Sequence, residues 1–279
     1  MHTLGIVGPG ASDLAERLAA RLHGRIVTVE SFPSADAPLG TPDTDAAYGL
    51  ADDGSWIGAG GDADLDGLLD DLAPETDYLL AAGFPDADLP TVRLADGIDE
   101  STDVDDPTDA PDEMGVSSPV VATVDDPADA DLDALVETVH ATEPHVTLGS
   151  LVAEVKRHPD AERSGAIATF TGRVRAKDGE DDDRTTALEF ETYEGVADQR
   201  MATIGEELET REGVHAVRMH HRTGYVADGE DIVFVVVLAG HRREAFRAVE
   251  DGIDRLKDEV PIFKREITVD GDFWVHDRE

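Results

Sequence analysis

Short apolar runs alternate with helical patterns through the first half of this 279-residue chain, and near residue 142 that rhythm changes. A change of period requires two cores of different architecture, because a sheet covered by helices and a half-exposed antiparallel sheet bury different faces. In the first half, Leu4-Gly5-Ile6-Val7 reads as a buried strand and Gly8-Pro9-Gly10 as a turn. Ser12 or Asp13 is a fitting N-cap, followed by Leu14, Leu18 and Leu22 on one helical face. Further strands are expected at Arg25–Val29, Asp77–Phe84, Thr91–Leu94 and Val120–Val124, with a last helix at Leu132–Val139. The alternation predicts an α/β domain with a parallel, doubly wound sheet. From Gly97 to Glu113 the residues are mostly Asp, Thr and Pro, so a mobile loop is expected there.

After a join near Thr142–Val146, helices are expected at Leu148–Lys156, Ala197–Leu208 and Glu244–Lys257. Strands are expected at Ala166–Gly172, Thr186–Thr192, Val214–His220, Ile232–Leu238 and Ile262–Thr268, with an acidic loop over 178–184. Leu188 and Phe190 alternate with Glu189 and Glu191, the signature of a half-exposed strand. This mixture predicts an α+β domain.

Charge then narrows the chemistry. The chain holds 63 acidic and 23 basic residues, a net of -40, and its four lysines are Lys156, Lys177, Lys257 and Lys264. Such a field repels phosphate backbones and disfavours a nucleic-acid partner. It resembles the solvated surface of cytoplasmic proteins from extreme halophiles, where salt screens self-repulsion, and a cytoplasmic location is expected. No apolar stretch is long enough to span a bilayer, so no membrane association is expected. With zero cysteines there is neither a thiolate metal site nor a cysteine nucleophile, and no metal or other cofactor is expected.

Against that background a retained cation is informative. Gly172-Arg173-Val174-Arg175 ends one strand and His241-Arg242-Arg243 opens a helix. Helix N-terminal amides with guanidiniums favour a phosphate-bearing small molecule; the plainer reading is pairing of these arginines with abundant carboxylates. Lys257 and Lys264 lie seven residues apart across a helix-to-strand corner, in Leu256-Lys257-Asp258-Glu259-Val260-Pro261-Ile262-Phe263-Lys264-Arg265-Glu266. A lysine near a second cation, or partly desolvated, can act as base or nucleophile; by spacing alone, both simply extend over an apolar corner.

The segments GAIATFTGRVR, LEFETYEG, HHRTGYVADGEDIVFVVVLAGHRREAF and IDRLKDEVPIFKREITVDGDFWV resemble the catalytic (large) subunit of molybdopterin synthase, in order across residues 146–279. The resemblance implies the large-subunit fold and a sulfur transfer converting cyclic pyranopterin monophosphate into the molybdopterin dithiolene. It also implies a ubiquitin-like small subunit, thiocarboxylated at its C-terminal glycine, and a homodimer at the core of a heterotetramer. It places the essential lysines at Lys257 and Lys264. Substrate contacts fall at Arg173, Val174, Arg175, His241, Arg242, the run Lys264-Arg265-Glu266, and Arg278. Residues 1–141, through LGIVGPGASDLAERLAARL and DYLLAAGFPDADLPTVRL, resemble a degenerate P-loop adaptor for attaching a nucleotide to molybdopterin. Gly5 and Gly10 fit G-x-x-x-x-G-K-[ST], but the phosphate-binding lysine is missing. The competing function is a non-catalytic carrier that delivers molybdopterin or its nucleotide to later enzymes. If 242–257 is one helix, Arg242 and Lys257 stand about 22 Å apart, which predicts a site shared across a two-fold dimer.

Overall fold

A computed structural model describes residues 1–32, 46–53, 55–60, 63–95, 119–177, 179, 183–193, 195–269 and 271–275. The chain divides into two compact units, Met1–His145 and Val146–Glu279. The expected loop 97–113, most of the acidic loop and Arg278 lie outside the described residues. No helix among the described residues is long and apolar enough to cross a membrane.

The first unit runs β1 (His2–Val7), α1 (Ala11–Ala19), β2 (Ile26–Glu30), β3 (Ala46–Leu50), β4 (Trp56–Gly60), α2 (Leu65–Leu72), β5 (Tyr78–Ala82), β6 (Thr91–Leu94), β7 (Val120–Val124) and α3 (Leu132–Ala141). Five of these strands form one parallel sheet, ordered β2-β5-β1-β6-β7. Leu4 and Ile6 of the central β1 are fully buried and pack with Leu14 and Leu18 of α1 and Leu135 and Val139 of α3. Leu69 of α2 joins Leu79 and Ala81 in a second cluster. The hairpin β3–β4 was not expected, because its Gly- and Ala-rich strands carry little apolar alternation.

The turn into α1 differs from the expected cap. Gly10, in the left-handed region at φ 81°, takes the N-cap position without a side-chain hydrogen bond. The Ser12 hydroxyl instead donates to Glu30 Oε1 at 2.6 Å. Gly8, at φ 111°, lies so close to β6 that a Cβ would come 2.6 Å from the Leu94 carbonyl oxygen.

At the N-terminal edge of this sheet, the His2 ring stacks on Tyr78 at 5.9 Å, and the Tyr78 hydroxyl meets His140 Nε2 at 2.9 Å. Burial, then the nearby N-terminal ammonium, holds the His2 pKa below the ordinary histidine value of 6.5. The unfolded chain therefore takes up the proton first as pH falls. His2 stabilises this unit fully above about pH 6.5, and that stability is lost as pH drops through its lowered folded value. Hydrogen exchange of β1 and β5 amides is expected to accelerate over that window, and less so in His2→Phe. Equal acceleration in both proteins would exclude His2 as the cause.

The second unit runs α4 (Leu148–Lys156), β8 (Ala166–Arg173), β9 (Thr185–Thr192), α5 (Val196–Glu209), β10 (Val214–His221), β11 (Gly224–Ala227), β12 (Asp231–Ala239), α6 (Arg242–Glu259), β13 (Ile262–Thr268) and β14 (Gly271–Val275). One antiparallel sheet is ordered β10-β12-β8, the other β11-β9-β13-β14. The short β11 and β14 were not anticipated; both are outer strands of four or five residues. β12 (DIVFVVVLA) is buried from Val233 to Ala239 because α5 and α6 cover one face of its sheet and α4 the other. Alternate residues Val233, Val235 and Val237 meet Leu208, Val249, Ile253 and Leu256, while Phe234, Val236 and Leu238 meet Leu151 and Val155.

Candidate functional site

The site-forming element is α6. Ala245, Ala248, Val249, Gly252, Ile253 and Leu256 recur at helical spacing and bury one face against the three-stranded sheet. Gly252 allows close approach, since a Cβ there would stand 3.1 Å from Val235 Cγ1. The helix runs back along β12, so its two ends stand at opposite ends of the sheet. Gly240, just before the helix, lies against Gly165 ahead of β8, whose nitrogen donates to the Gly240 oxygen at 3.1 Å. At the far end, Leu256 and Val260 pack with Val233, beside the Val233↔Gly172 and Asp231↔Arg173 pairs.

The predicted residues therefore separate into two groups. Arg173, Arg175, Lys257, Lys264 and Glu266 stand at the end where α6 finishes. His241 and Arg242 stand where it begins, fifteen residues from Lys257 along a continuous helix, about 22 Å at 1.5 Å per residue.

At the starting end, His241 is the N-cap without a side-chain cap bond, and Arg242 and Arg243 follow, all exposed. Cations oppose the positive end of a helix dipole, typically by about 0.3–1 kcal/mol each. Free amides and guanidiniums together make that end receptive to an anion. At the finishing end Lys257 lies in the last helical turn, the sign the dipole favours. Among the described residues, Arg242, Arg243, Lys257 and Lys264 have no carboxylate at ion-pair distance. Several other cations of this unit are paired, as in Arg200–Glu259, Arg211–Asp251 and Arg218–Glu154.

The corner carrying the lysines is held on both sides. Before it, Arg255 Nε donates to Glu259 at 2.6 Å and its terminal nitrogen to Glu207 of α5 at 2.6 Å. The Arg255 hydrogen bond, aided by Arg200, keeps the Glu259 carboxyl below the usual carboxylate range. After it, Lys264 pairs in register with Phe190 of β9. Phe190 is buried with Val174, Val226, Leu188, Ile232 and Ile262 in a small core between the sheets.

The pleat of β13 splits the Lys264-Arg265-Glu266 run. Lys264 and Glu266 share the face of Ile262 and the buried Phe190, and Glu266 accepts a bond from the Thr185 hydroxyl. Arg265 projects to the opposite face, where its Nε donates to Glu189 at 2.7 Å and its guanidinium lies 5.9 Å from the Trp274 ring centroid. The Glu189 bond holds its pKa above the ordinary arginine value. Within the run, Arg265 thus faces away from Lys264 and Glu266. Val174, also expected to touch substrate, is a core residue at 3% exposure. Its N–H donates to Glu230 and its carbonyl accepts from Gly229, so its backbone is committed to the fold. Arg173 follows the plainer reading, donating to the Gly229 carbonyl at 3.0 Å and standing 3.5 Å from Asp231.

His221 was overlooked in the sequence. Its ring meets Phe190 edge-on at 4.7 Å, and its Nδ1 lies 2.7 Å from the Arg222 carbonyl oxygen. Burial pushes its pKa down, so at neutral pH the ring is uncharged and Nδ1–H donates to that carbonyl. The signal was its place in the β10 alternation, two residues beyond Met219 on the face packed by α5 and α6.

With this geometry in view, comparison with known proteins is specific. The family described as MoaE protein matches residues 141–259. The chain is 59% identical over 279 residues to the probable molybdopterin synthase of Haloferax volcanii, covering the whole of both chains. It is 41% identical over 114 residues to the molybdopterin synthase catalytic subunit of Caulobacter vibrioides, covering 41% of this chain and 73% of that one. Among solved structures, the molybdopterin synthase of Staphylococcus aureus shares 36% identity over 42% of this chain and 83% of that one, with a TM-score of 0.39.

Proposed function

The chain belongs to the molybdopterin synthase family, and from that premise we propose that its second unit carries out the sulfur transfer with Lys257 and Lys264. Its role in molybdenum cofactor biosynthesis is that of an enzyme, a sulfurtransferase, rather than of a carrier. The observation that carries the assignment to these residues is the pair of lysines flanking one rigid corner, unpaired by carboxylate among the described residues of a chain with 63 acids. A carrier has no need of bare amines there.

The substrate is cyclic pyranopterin monophosphate, and the sulfur donor is the thiocarboxylated tail of a ubiquitin-like small subunit. Arg175 and Arg242 hold the phosphate. In the transfer a carbonyl oxygen gains negative charge and protons must move. Lys257 stabilises the charge, and Lys264 shuttles protons. Glu266 and His241 complete the ligand shell, with Arg278 near the C-terminus. Incubation of the full chain with the cyclic monophosphate and thiocarboxylated partner should yield the dithiolene; no product from intact substrates would overturn the assignment.

The separation of Arg242 from Lys257 supports a site shared by two protomers of a homodimer, the core of a heterotetramer with two small subunits. Co-expressing a Lys257→Ala chain with an Arg242→Ala chain should restore activity in mixed dimers, since one of the two sites is then intact. No recovery would exclude sharing.

Within the first unit, residues 1–141 form a degenerate P-loop adaptor-like domain with a structural or docking role. Supporting this are the parallel order β2-β5-β1-β6-β7 and the glycine turn ahead of α1. Ala11 takes the place of the phosphate-binding lysine, and Pro127 Cγ lies 3.0 Å from where a Gly10 Cβ would stand. Incubation of the full chain with GTP or ATP is expected to release no phosphate; phosphate release would reverse that reading.

A further inference from the structure

Resting on the sulfur-transfer reading above, we propose that Thr185 is a positioning residue of that reaction, whose hydroxyl fixes the Glu266 carboxylate while its backbone N–H fixes the segment that carries Arg175. One buried residue thereby sets the spacing between the phosphate-holding arm and the face of β13 that carries Lys264.

The hydroxyl is the first observation. Among the described residues of the second unit, Thr185 is the one buried polar residue, at 5% exposure. A hydroxyl taken out of water has to find a partner, and this one donates to Glu266 Oε1. Its neighbours behave differently: Thr186 donates to the Ile267 carbonyl at 3.1 Å and Thr268 to the Gly271 carbonyl at 2.8 Å. Glu266 is half-buried on the face of Lys264, two residues along the strand. Held through Oε1, its carboxylate keeps Oε2 for a ligand on that face.

The backbone is the second. β9 and β13 pair in register from Ile262 to Ile267, and the register then shifts, bringing Thr268 opposite Thr185. An irregularity of this kind re-aims a side chain. Strict alternation would have put Thr185 on the face of Glu189 and Arg265, away from Glu266. The Thr185 N–H meanwhile donates to the Ala176 carbonyl at 2.9 Å, one residue beyond Arg175. On the other side of Arg175, Val174 is fixed by its bonds with Glu230 and Gly229. Arg175 therefore stands between two pinned residues.

Thr185 is itself anchored on both sides. The Val269 N–H donates to the Arg184 carbonyl at 3.1 Å and the Asp228 N–H to the Thr186 carbonyl at 2.9 Å. The Arg184 guanidinium also pairs with Asp228. Loss of the hydroxyl from so fixed a post frees the Glu266 carboxylate and leaves the Arg175 arm in place, because every residue except proline keeps the N–H.

The test uses the full chain with cyclic pyranopterin monophosphate and the thiocarboxylated partner. Thr185→Val should lower kcat for dithiolene formation by about 10-fold or more, with KM for the cyclic monophosphate held within about twofold. Thr185→Ser should restore most of the rate and Thr185→Ala should not. Those two lack the same methyl group and differ only in the hydroxyl, so they decide the matter even where Thr185→Val fails to fold. Thr186→Val, the same deletion one residue away, should run at the parent rate. Adding Thr185→Val to Glu266→Gln should slow the reaction no further than Glu266→Gln alone, because the hydroxyl acts through the carboxylate. Parent-like kcat in Thr185→Val, or equal rates for Thr185→Ser and Thr185→Ala, would overturn the inference. So would additive losses in which KM and kcat change together, the mark of a packing residue. In each of those cases an active parent chain leaves the sulfur-transfer reading standing; a parent chain that forms no dithiolene overturns both.

Discussion

Lys257→Ala is expected to lower the rate of dithiolene formation by about 10²–10⁴-fold, and Lys264→Ala by a similar factor, with the fold intact in each case. Lys257 is exposed in the last turn of α6 and Lys264 half-buried on β13, and neither belongs to a hydrophobic cluster. Truncating either removes a cation without opening a cavity. Arginine separates the two roles, because a guanidinium keeps its charge but does not release a proton at neutral pH. Lys257→Arg should retain part of the rate, whereas Lys264→Arg should remain as slow as the alanine variant. Single-turnover assays with the thiocarboxylated partner, alongside circular dichroism, provide the check. An alanine variant running at the parent rate would remove that lysine from the mechanism.

Phe190→Ala is the largest expected loss of stability, about 3–5 kcal/mol in the second unit. Phe190 is 5% exposed and stands where the two sheets meet, against Val174, Val226 and Ile262, with His221 on its edge. It also pairs with Gly224 on one side and Lys264 on the other. Its removal leaves a cavity in a cluster too small to collapse around it, and loosens the strand that fixes Lys264. Phe190→Leu, which keeps most of the volume, should cost under about 1.5 kcal/mol. Urea denaturation with segment-resolved hydrogen exchange would measure both. A loss of less than about 1 kcal/mol for Phe190→Ala would show that the sheets are joined by other contacts.

Much of the architecture was legible because period alone encodes it. Leu14 and Leu18 at helical spacing, the apolar run of β12 and the alternation around Leu188 and Phe190 each match the element observed. Strands escaped where that signal is weak. β3 and β4 are Gly- and Ala-rich, and β11 and β14 are short outer strands stabilised by neighbours distant in sequence. The cap of α1 escaped for another reason. Gly8 must pass close to Leu94, so the chain enters the helix through left-handed Gly10 and leaves Ser12 to bond Glu30.

The site was legible as a set of residues and not as an arrangement. Retained cations in a chain of net charge -40 stand out by composition, and the resemblance attaches chemistry to them. Adjacency in sequence, however, does not show which way Arg265 and Val174 face. A strand alternates its faces, which turns Arg265 toward Glu189 and Trp274, and the meeting of two sheets buries Val174. Linear order determined most of the elements and their apolar faces, because these depend on local periodicity and side-chain chemistry. Tertiary packing decided which cations share an end of the sheet. An 18-residue helix returning along β12 carries its first and last turns to opposite ends, and that direction is set by what its apolar face covers.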